Sequence, residues 1–539
     1  MRFIFSAGSN MQEKSQSNIF ITSEKTPKFI LSYGSSFLID KLPKGTRIIY
    51  PPKPLKGIEN PAEAIEYALE HPLGKKPLSK QLKKGMKVTI AFDDISLPLP
   101  PMKYPDVRRT AMKIIFRKLK QAGIDDVHLI VAIGLHRKIT KHEIEEMLGK
   151  DIVDEYWPDR LYNHDAENPG GIVYIGKTEK NEKIYINKRV AESDLVIYLN
   201  VNFVSMDGGH KSFITGLCDY KSISYHHNHH TLMNSKSYFD PEHSMLHDTI
   251  ARMGRVVEKK INTFRVETAL NNDLFPFYIK FLQKRHYELT LLDKIMMRAT
   301  SFIMNLLPGN LQRKINSSIR ADYKLIAVNA GEVEAVHKKI LEANFKQYEV
   351  DIDGQSDILI GSIPDISPYS VNSIMNPILF VCLAHGYFFN LYRGKPILKK
   401  SGVFICMHPL TDEFHLGHHP SYKDFFENIL SRTLDAHEIE MKYEKSFAEN
   451  PRYKEAYRKG NAYHGVHPFY MWYWGYYGFK YAKKTIVVGA KSRKVLERFG
   501  FVYAKNLNEA HRIAKKILKK ENPSISYLRA PPIVSVKVK

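Results

Sequence analysis

The sequence predicts an α/β protein with two α/β domains, mostly parallel sheets, an interdomain cleft and an inserted helical segment. First, 539 residues exceed what one hydrophobic core usually supports. Second, short apolar strand-like runs alternate with helical periodicity in both halves of the chain, which is the pattern of βαβ units. Third, these two regions are separated by a stretch, 274–325, that has helical periodicity alone.

The predicted N-terminal domain covers residues 1–273. Its strands are KVTIAFDD, DDVHLIVAIG and SDLVIYLNVNF, and predicted helices run from about Asp106 to Ala122 and from about Thr140. The loops DDISLPLPP and GLHRKIT directly follow the first two strands. Because the carboxyl ends of parallel strands meet at one edge of a sheet, we expect both loops to converge on one cleft.

The segment 274–325 is rich in Leu, Ile, Met and Phe and is also basic. Two interpretations are open. The segment is either a helical hairpin or lid that packs its apolar stripe on the body of the protein, or an amphipathic segment that contacts a membrane surface.

The predicted C-terminal domain covers 351–525, after a connecting segment at 326–350. Its pattern gives strands SDILIGSIP, SGVFICMHPL and KKTIVVGA and a helix over 371–390. Residues 526–539 are predicted to form a terminal strand or tail.

Composition limits the classes of partner. Lys and Arg number 80 against 57 Asp and Glu, a net charge of +23, which favours anionic partners by long-range attraction. The excess is spread along the chain, and no arginine-rich tail, zinc-finger spacing or RNP-like motif accompanies it. We therefore expect a lysine-rich solvated surface and no nucleic-acid binding.

Cysteine content and hydropathy indicate a cytoplasmic protein. Three scattered cysteines, Cys218, Cys382 and Cys406, are too few for a disulfide framework, which favours a reducing compartment. The first residues do not read as a signal peptide. The longest apolar run, ILFVCLAHGYFF, is too short to span a bilayer.

The stretch GGHKSFITGLCDYKSISYHHNHH, residues 208–230, concentrates chemistry-bearing residues. Paired glycines allow a close backbone approach, a lysine offers a cation or an amine nucleophile, and histidines are common metal ligands. A phosphate site, a covalent anchor and a metal site all fit these residues.

Several motifs, taken in order, resemble the nickel-pincer-dependent lactate racemases. They are GTRIIYPPKPLKGIENPAEAIEYALEHPLG, FDDISLPLP, VAIGLHRKIT, GGHKSFITGLC and HHNHH. The resemblance extends through most of the chain, including the C-terminal domain, and the helical insertion is the main part outside it.

The resemblance implies a nickel-pincer nucleotide, a pyridinium-3,5-bisthiocarboxylic acid mononucleotide that holds nickel. It would be joined to Lys211 as a thioamide, and His227 would complete the nickel coordination. Gly208 and Gly209 would let the backbone approach the cofactor, and Asp94, Ser96 and Trp472 match further cofactor contacts. The neighbouring histidines are assigned to a polar helix start or an adventitious metal patch: His226, His229 and His230.

The resemblance also implies that a histidine takes the hydroxyl proton of the substrate while the carbon-bound hydrogen leaves as hydride. His136 in GLHRKIT matches such a base, and a pKa near neutrality suits histidine to accept and return a proton. Arg137 beside it either binds an anion of the substrate or caps a helix.

Departures from the family concern the substrate. Val201, between Asn200 and Asn202, matches the second base histidine. Leu97 matches an arginine for the substrate carboxylate, and Asn376 and Leu379 match a carboxylate-binding glutamine and lysine. We therefore expect a larger or less anionic secondary alcohol than lactate. A second histidine group contains candidates for the missing base: His408, His415 and His418.

The sequence thus favours an isomerase, a racemase or epimerase of a 2-hydroxy acid or related secondary alcohol, with cofactor-synthesis proteins as further partners. Two alternatives stay open. One is a non-catalytic protein that binds the nickel-pincer nucleotide, which the missing base and carboxylate ligands would permit. The other is a peripheral membrane enzyme that acts on a lipid-like alcohol through the 274–325 segment.

Overall fold

The protein, a computed structural model, is described over residues 18–96 and 100–539, so Leu97 lies outside the described residues. Its strands are β1 (Ile19–Ile21), β2 (Phe29–Tyr33), β3 (Ser36–Asp40), β4 (Arg47–Ile49), β5 (Val88–Asp93), β6 (Val127–Ala132), β7 (Leu161–Asn163), β8 (Ile172–Lys177), β9 (Lys183–Asn187), β10 (Leu195–Asn202), β11 (Thr263–Leu270), β12 (Leu325–Gly331), β13 (Glu349–Ile352), β14 (Ser356–Ser362), β15 (Tyr392–Gly394), β16 (Leu398–Met407), β17 (Lys484–Val488), β18 (Val502–Ala504), β19 (Ile525–Leu528) and β20 (Ser535–Val538).

The helices are Pro61–Glu70, Leu78–Gln81, Val107–Gln121, Lys141–Leu148, Lys150–Tyr156, Lys188–Ala191, Lys211–Gly216, Tyr220–Ser224, His229–Asn234, Met245–Lys260, Leu291–Leu306, Gly309–Ser318, Val333–Tyr348, Pro377–Val381, Pro420–Asp424, Ala436–Ile439, Lys445–Ala448, Pro451–Lys459, His467–Tyr481, Arg493–Phe499 and Leu507–Leu518. Short 3₁₀ turns span Pro241–His243 and Phe277–Leu282, and π-helical turns span Cys382–Phe388, Phe425–Ile429 and Glu440–Glu444.

Two mostly parallel sheets confirm the predicted α/β class. The first has the order β12-β11-β10-β5-β6-β7, in which only β12 pairs antiparallel. The second has the order β1-β4-β19-β14-β16-β17-β18, in which only β1 pairs antiparallel. Fully buried strands such as β10 explain the continuous apolar runs in the sequence.

Local signals fix several element boundaries near their predicted positions. Thr140 and Glu143 form a capping box at the start of helix Lys141–Leu148. The helix predicted over 371–390 instead begins at Pro377, because the Asn376 side chain accepts hydrogen bonds from the next two free backbone N–H groups and caps it.

The sheets divide the chain differently from the predicted domain boundaries. β1 and β4, near the start of the chain, pair into the second sheet, and β19 (Ile525–Leu528) lies inside that sheet, while β20 (Ser535–Val538) is the last strand of the chain. β12 and helix Val333–Tyr348, expected as a connection, complete the first sheet and pack on β11. We therefore propose domains of about 51–348 and, combined, 18–50 with 349–539. The sequence periodicity shows where a strand lies but not which distant strand it pairs with, so these boundaries could not be predicted from it.

The 274–325 segment forms the predicted helices, Leu291–Leu306 and Gly309–Ser318. The first of these helices packs on β3. The end of the segment is attached to the first domain, because Ala321 exchanges backbone hydrogen bonds with Pro101 and Lys103. Among the described residues, no helix has both the length and the apolarity needed to cross a bilayer.

Candidate functional site

A cleft lies at the carboxyl edge of the first sheet and is closed by residues of the second domain. It consists of two adjoining cavities of about 100 and 90 Å³, which share five lining residues. The loops after β5, β6 and β10 supply those residues, as expected for a parallel sheet. The shared residues are Ser96, His136, Asp207, Lys211 and Thr215.

His136 and Asp94 form a hydrogen-bonded pair at this edge. The His136 Nδ1 atom lies 2.9 Å from Asp94 Oδ2, and Asp94 also accepts bonds from the backbone N–H and hydroxyl of Ser96. Burial raises the pKa of Asp94, but the His136 ion pair and these hydrogen bonds outweigh it, so the pKa is lowered overall. A carboxylate held at Nδ1 fixes the ring orientation and leaves Nε2 for proton transfer.

Lys211 begins the helix Lys211–Gly216 and lines both cavities. Its Nζ atom lies 3.7 Å from the Asp207 carboxylate, and a quarter of its side chain is exposed. Burial raises the pKa of Asp207. The lysine amine therefore faces the cleft at the position that the sequence motif predicts.

His227 lines the same cleft from the opposite wall. Its Nδ1 is buried without a hydrogen-bond partner, and its ring stacks on Trp474 with 5.6 Å between the ring centroids. Burial lowers the pKa of His227 well below 6.5, so the ring is neutral at pH 7. A neutral imidazole with a free nitrogen is the form that ligates a metal.

The other histidines of the HHNHH run do not line either cavity. His226 is buried and its Nε2 is bonded to the Thr215 hydroxyl, the backbone N–H of His229 donates to Glu440, and His230 is exposed. Among the described residues, a single group of three has possible ligand atoms close enough to share a metal ion, and its last two members are exposed: Asp240, Glu242 and His243.

Packing within the protein, rather than cofactor approach, explains the glycine pair. Gly208 and Gly209 have φ of +84° and +55°, which L side chains rarely adopt. A Cβ at Gly208 would overlap the Glu267 carboxylate, and one at Gly209 would lie 2.9 Å from the His337 ring. Only Gly208 lines the cleft.

Behind the glycines lies a fully buried charge cluster. Arg265 and Glu267 are both 0% exposed, with 3.3 Å between Nε and Oε2, and His337 Nδ1 lies 2.8 Å from the other Glu267 oxygen. Asn202, from β10, also donates to Glu267. The cluster positions the loop before Lys211, a role that no local motif reveals.

Arg137 is held away from the cleft. It is 3% exposed and makes two hydrogen bonds, of 2.6 and 3.0 Å, with the buried carboxylate of Glu143. Burial raises the pKa of Glu143, but the Arg137 contacts outweigh this and lower it to about 2. Arg137 thus anchors the helix that follows, and it is not among the described lining residues of either cavity.

Three candidates in the second domain also lie outside the cleft. Asn376 caps helix Pro377–Val381, Leu379 is fully buried in the core, and Trp472 stacks on Phe499 at 5.6 Å. Trp474, two residues on, lines the cleft instead. Helical periodicity separates these two tryptophans by about 200°, so only one of them faces His227.

The candidate replacement bases His408, His415 and His418 do not line the cleft either. His408 is paired with Asp365 at 2.9 Å, and His415 and His418 stack on one another. The histidine that sequence reasoning missed is His467, whose ring centroid lies 5.4 Å from that of His136. The stretch VHPFYMWYW could have indicated it, because a histidine followed by a proline begins a helix rich in aromatic residues.

Val201 and Asn200 line the first cavity at the place where the sequence lacks a second histidine. Both contact Asp93: the backbone N–H of Val201 and the amide of Asn200 donate to its Oδ2. Burial raises the pKa of Asp93 to about 6. Among the described lining residues of the two cavities, the histidines are His136, His227 and His467.

Fold and cleft together define a two-domain α/β protein with a ligand site between its domains. Residues 33–239 match the family model of the lactate racemase N-terminal domain. This match covers less than half of the chain, so the similarity to lactate racemases at the level of a family model concerns residues 33–239.

Curated relatives match only part of their length. The lactate racemase of Lactiplantibacillus plantarum is 28% identical over 170 residues, and that of Thermoanaerobacterium thermosaccharolyticum is 26% identical over 170. Each alignment covers 31% of this chain and 38% of the relative, well short of the relative's whole length.

Two solved structures share the fold. The lactate racemase apoprotein from T. thermosaccharolyticum has a TM-score of 0.60 at 18% identity, covering 94% of this chain and 99% of that one. A protein from Thermotoga maritima has a TM-score of 0.52 at 15% identity, covering 91% and 100%. Because both sequence identities are below 25%, the two matches show that the fold is shared and nothing more.

Proposed function

We propose that the protein is a racemase or epimerase of a 2-hydroxy acid or related secondary alcohol with an apolar substituent, and that it uses a nickel-pincer nucleotide. One observation carries the proposal: an amine, a neutral imidazole and a carboxylate-oriented histidine line one cavity. They are Lys211, His227 and His136.

These side chains fit the group that the family resemblance implies. Lys211 offers a primary amine for a covalent link, and the unpartnered buried Nδ1 of His227 offers a nitrogen ligand to nickel. Trp474, stacked on His227, gives a flat wall to the cavity. When bound, the group supplies a pyridinium ring that accepts hydride, as nicotinamide does.

The chain itself would supply the proton chemistry. His136 Nε2 accepts the proton of the substrate hydroxyl, Asp94 stabilises the imidazolium that forms, and the same nitrogen returns the proton when the carbonyl is reduced. Net protons and electrons are conserved, because hydroxyl and carbon-bound hydrogen are both restored. Buried aromatic walls limit water in the cavity.

The lining favours an apolar substituent over lactate. Among the described lining residues of the two cavities there is no arginine, and Lys211 is the only lysine. A carboxylate, which all 2-hydroxy acids share, therefore gains little from this lining, and the apolar substituent has to supply the difference between substrates. A third cavity, of about 40 Å³ and mostly apolar, adjoins the cleft and shares Val204 and Tyr387 with it; it is also lined by Ile366, Leu383, Phe388 and Leu391.

Cofactor-loaded protein is therefore expected to turn over 2-hydroxy acids with longer apolar side chains faster than lactate. The expected gain in kcat/KM is at least about tenfold, because one methylene in an apolar pocket is worth ~1–3 kcal/mol. The rate at which one stereoisomer is converted into the other, followed by chiral chromatography, measures this. Leu383→Phe, which fills the third cavity, should remove the gain without affecting lactate. Rapid, symmetric racemisation of lactate would contradict this substrate assignment.

A non-catalytic cofactor-binding protein is the second candidate, favoured by Val201 at the position of the missing base. The same experiment separates the two. A fully loaded protein that interconverts the stereoisomers of no hydroxy acid in the series would favour the second candidate.

A further inference from the structure

Exposed apolar side chains are concentrated in the helical insertion. Twelve of the nineteen large hydrophobic residues that are exposed lie within 277–315, so this segment carries an apolar surface unlike the rest of the described chain. The twelve are Phe277, Tyr278, Tyr287, Leu291, Leu292, Ile295, Met296, Phe302, Ile303, Leu306, Leu311 and Ile315.

Helix Leu291–Leu306 has one face that is buried and an opposite, apolar face that is exposed. Its inner face buries Met297, Ser301 and Met304 against β3. At 3.6 residues per turn, its exposed apolar residues form one continuous outer stripe about 140° wide. We call this stripe the outer apolar face; its members are Leu291, Leu292, Ile295, Met296, Phe302, Ile303 and Leu306.

Polar contacts fix which face points outward. The Ser301 hydroxyl donates to the backbone carbonyl of Phe37 at 3.1 Å, and the Asn305 amide donates to the same carbonyl at 2.8 Å. Ser36 donates to Asn305 at 2.8 Å. The helix therefore cannot rotate to bury the outer apolar face without breaking these bonds.

Basic side chains border this face. Lys294 and Arg298 are exposed on its edge, and Lys314 is exposed on the next helix. Within the described part of the chain, none of the three has an ion-pair partner. Residues 277–320 hold eight Lys or Arg against two Asp or Glu.

We propose that the outer apolar face docks on an anionic lipid surface, with the helix lying in the plane of the interface. An apolar stripe bordered by lysine and arginine is the pattern of interfacial helices, and anionic headgroups match the unpaired cations. A second copy is a poorer occupant, because each copy carries a net charge of +23 and would bring like-charged rims together.

Sedimentation of the full-length chain with vesicles tests the proposal. Phosphatidylcholine vesicles that contain phosphatidylglycerol should bind the protein, whereas phosphatidylcholine alone should not, and salt should weaken the binding. Phe302→Ser with Leu306→Ser should reduce binding at least about tenfold, because two apolar side chains are lost from the contact. Lys294→Glu with Arg298→Glu should reduce binding to the anionic vesicles by about as much.

The matched control is Leu416→Ser with Met441→Ser, which removes exposed apolar side chains from other surfaces and should leave binding unchanged. Thermal unfolding checks that each variant folds. Wild-type protein that stays in the supernatant with anionic vesicles would overturn the proposal. So would a lipid-free dimer that Phe302→Ser with Leu306→Ser disperses, which would make this face an interface between copies. Since the assay needs no cofactor, its failure would leave the proposed reaction untouched.

Discussion

Replacing His136 with glutamine is expected to lower the rate at which the protein interconverts the stereoisomers of a hydroxy acid by about 10²–10⁴-fold. Glutamine keeps a polar side chain of similar length but cannot accept and return a proton. Cofactor content should be unchanged, since Lys211 and His227 are intact. Rates of stereoisomer interconversion by chiral chromatography, normalised to bound nickel, measure the effect.

His230→Gln serves as the control for this variant, because His230 is exposed and lies outside the cleft. Asp94→Asn should give a smaller loss, because it keeps an acceptor near Nδ1 and removes only the charge that stabilises the imidazolium. Full activity in His136→Gln would contradict the assignment of the base and would direct attention to His467, the neighbouring histidine of the cleft.

Replacing His227 with alanine is expected to remove most of the bound nickel while the organic part of the cofactor stays attached through Lys211. The reason is that His227 alone in the HHNHH run combines a position in the cleft with an unpartnered buried nitrogen. Metal analysis beside intact-mass measurement separates the two outcomes.

Two controls flank this prediction. His226→Ala removes an equally buried neighbour that is bonded to Thr215, and His230→Ala removes an exposed one. Both should retain nickel. Equal nickel loss in all three variants would mean that the run binds metal diffusely, and the assignment of His227 would fail.

Much of the fold could be predicted because its signals are local. Thr140 and Glu143, three residues apart, form the capping box that begins a helix. The continuous apolar run of β10 indicates a strand that is buried on both faces. The candidate site residues that follow strands converge for the same reason: Asp94 and His136 are each adjacent to the carboxyl end of a parallel strand.

Several candidate residues lie outside the cleft because of packing and hydrogen bonds that the sequence pattern does not specify. Arg137 is committed to Glu143, and Trp472 and Trp474 differ only in which helix face meets the cleft. The family resemblance assigns Asn376 and Leu379 to the substrate site. In the structure, Asn376 caps a helix and Leu379 is buried in the core. The glycine pair fits Glu267 and His337, which are separated from it by more than 50 residues.

The central claim is that Lys211 holds the cofactor in this cleft. The most direct measurement is peptide mapping by mass spectrometry of the full chain purified from a host that makes the nickel-pincer nucleotide. The account predicts a covalent adduct on the peptide that contains Lys211, with the nucleotide's mass less the water released when the thioamide forms. The adduct should be absent in Lys211→Ala and retained when the exposed Lys221 is replaced by alanine. An unmodified Lys211 in nickel-containing protein, or an adduct that persists in Lys211→Ala, would contradict it.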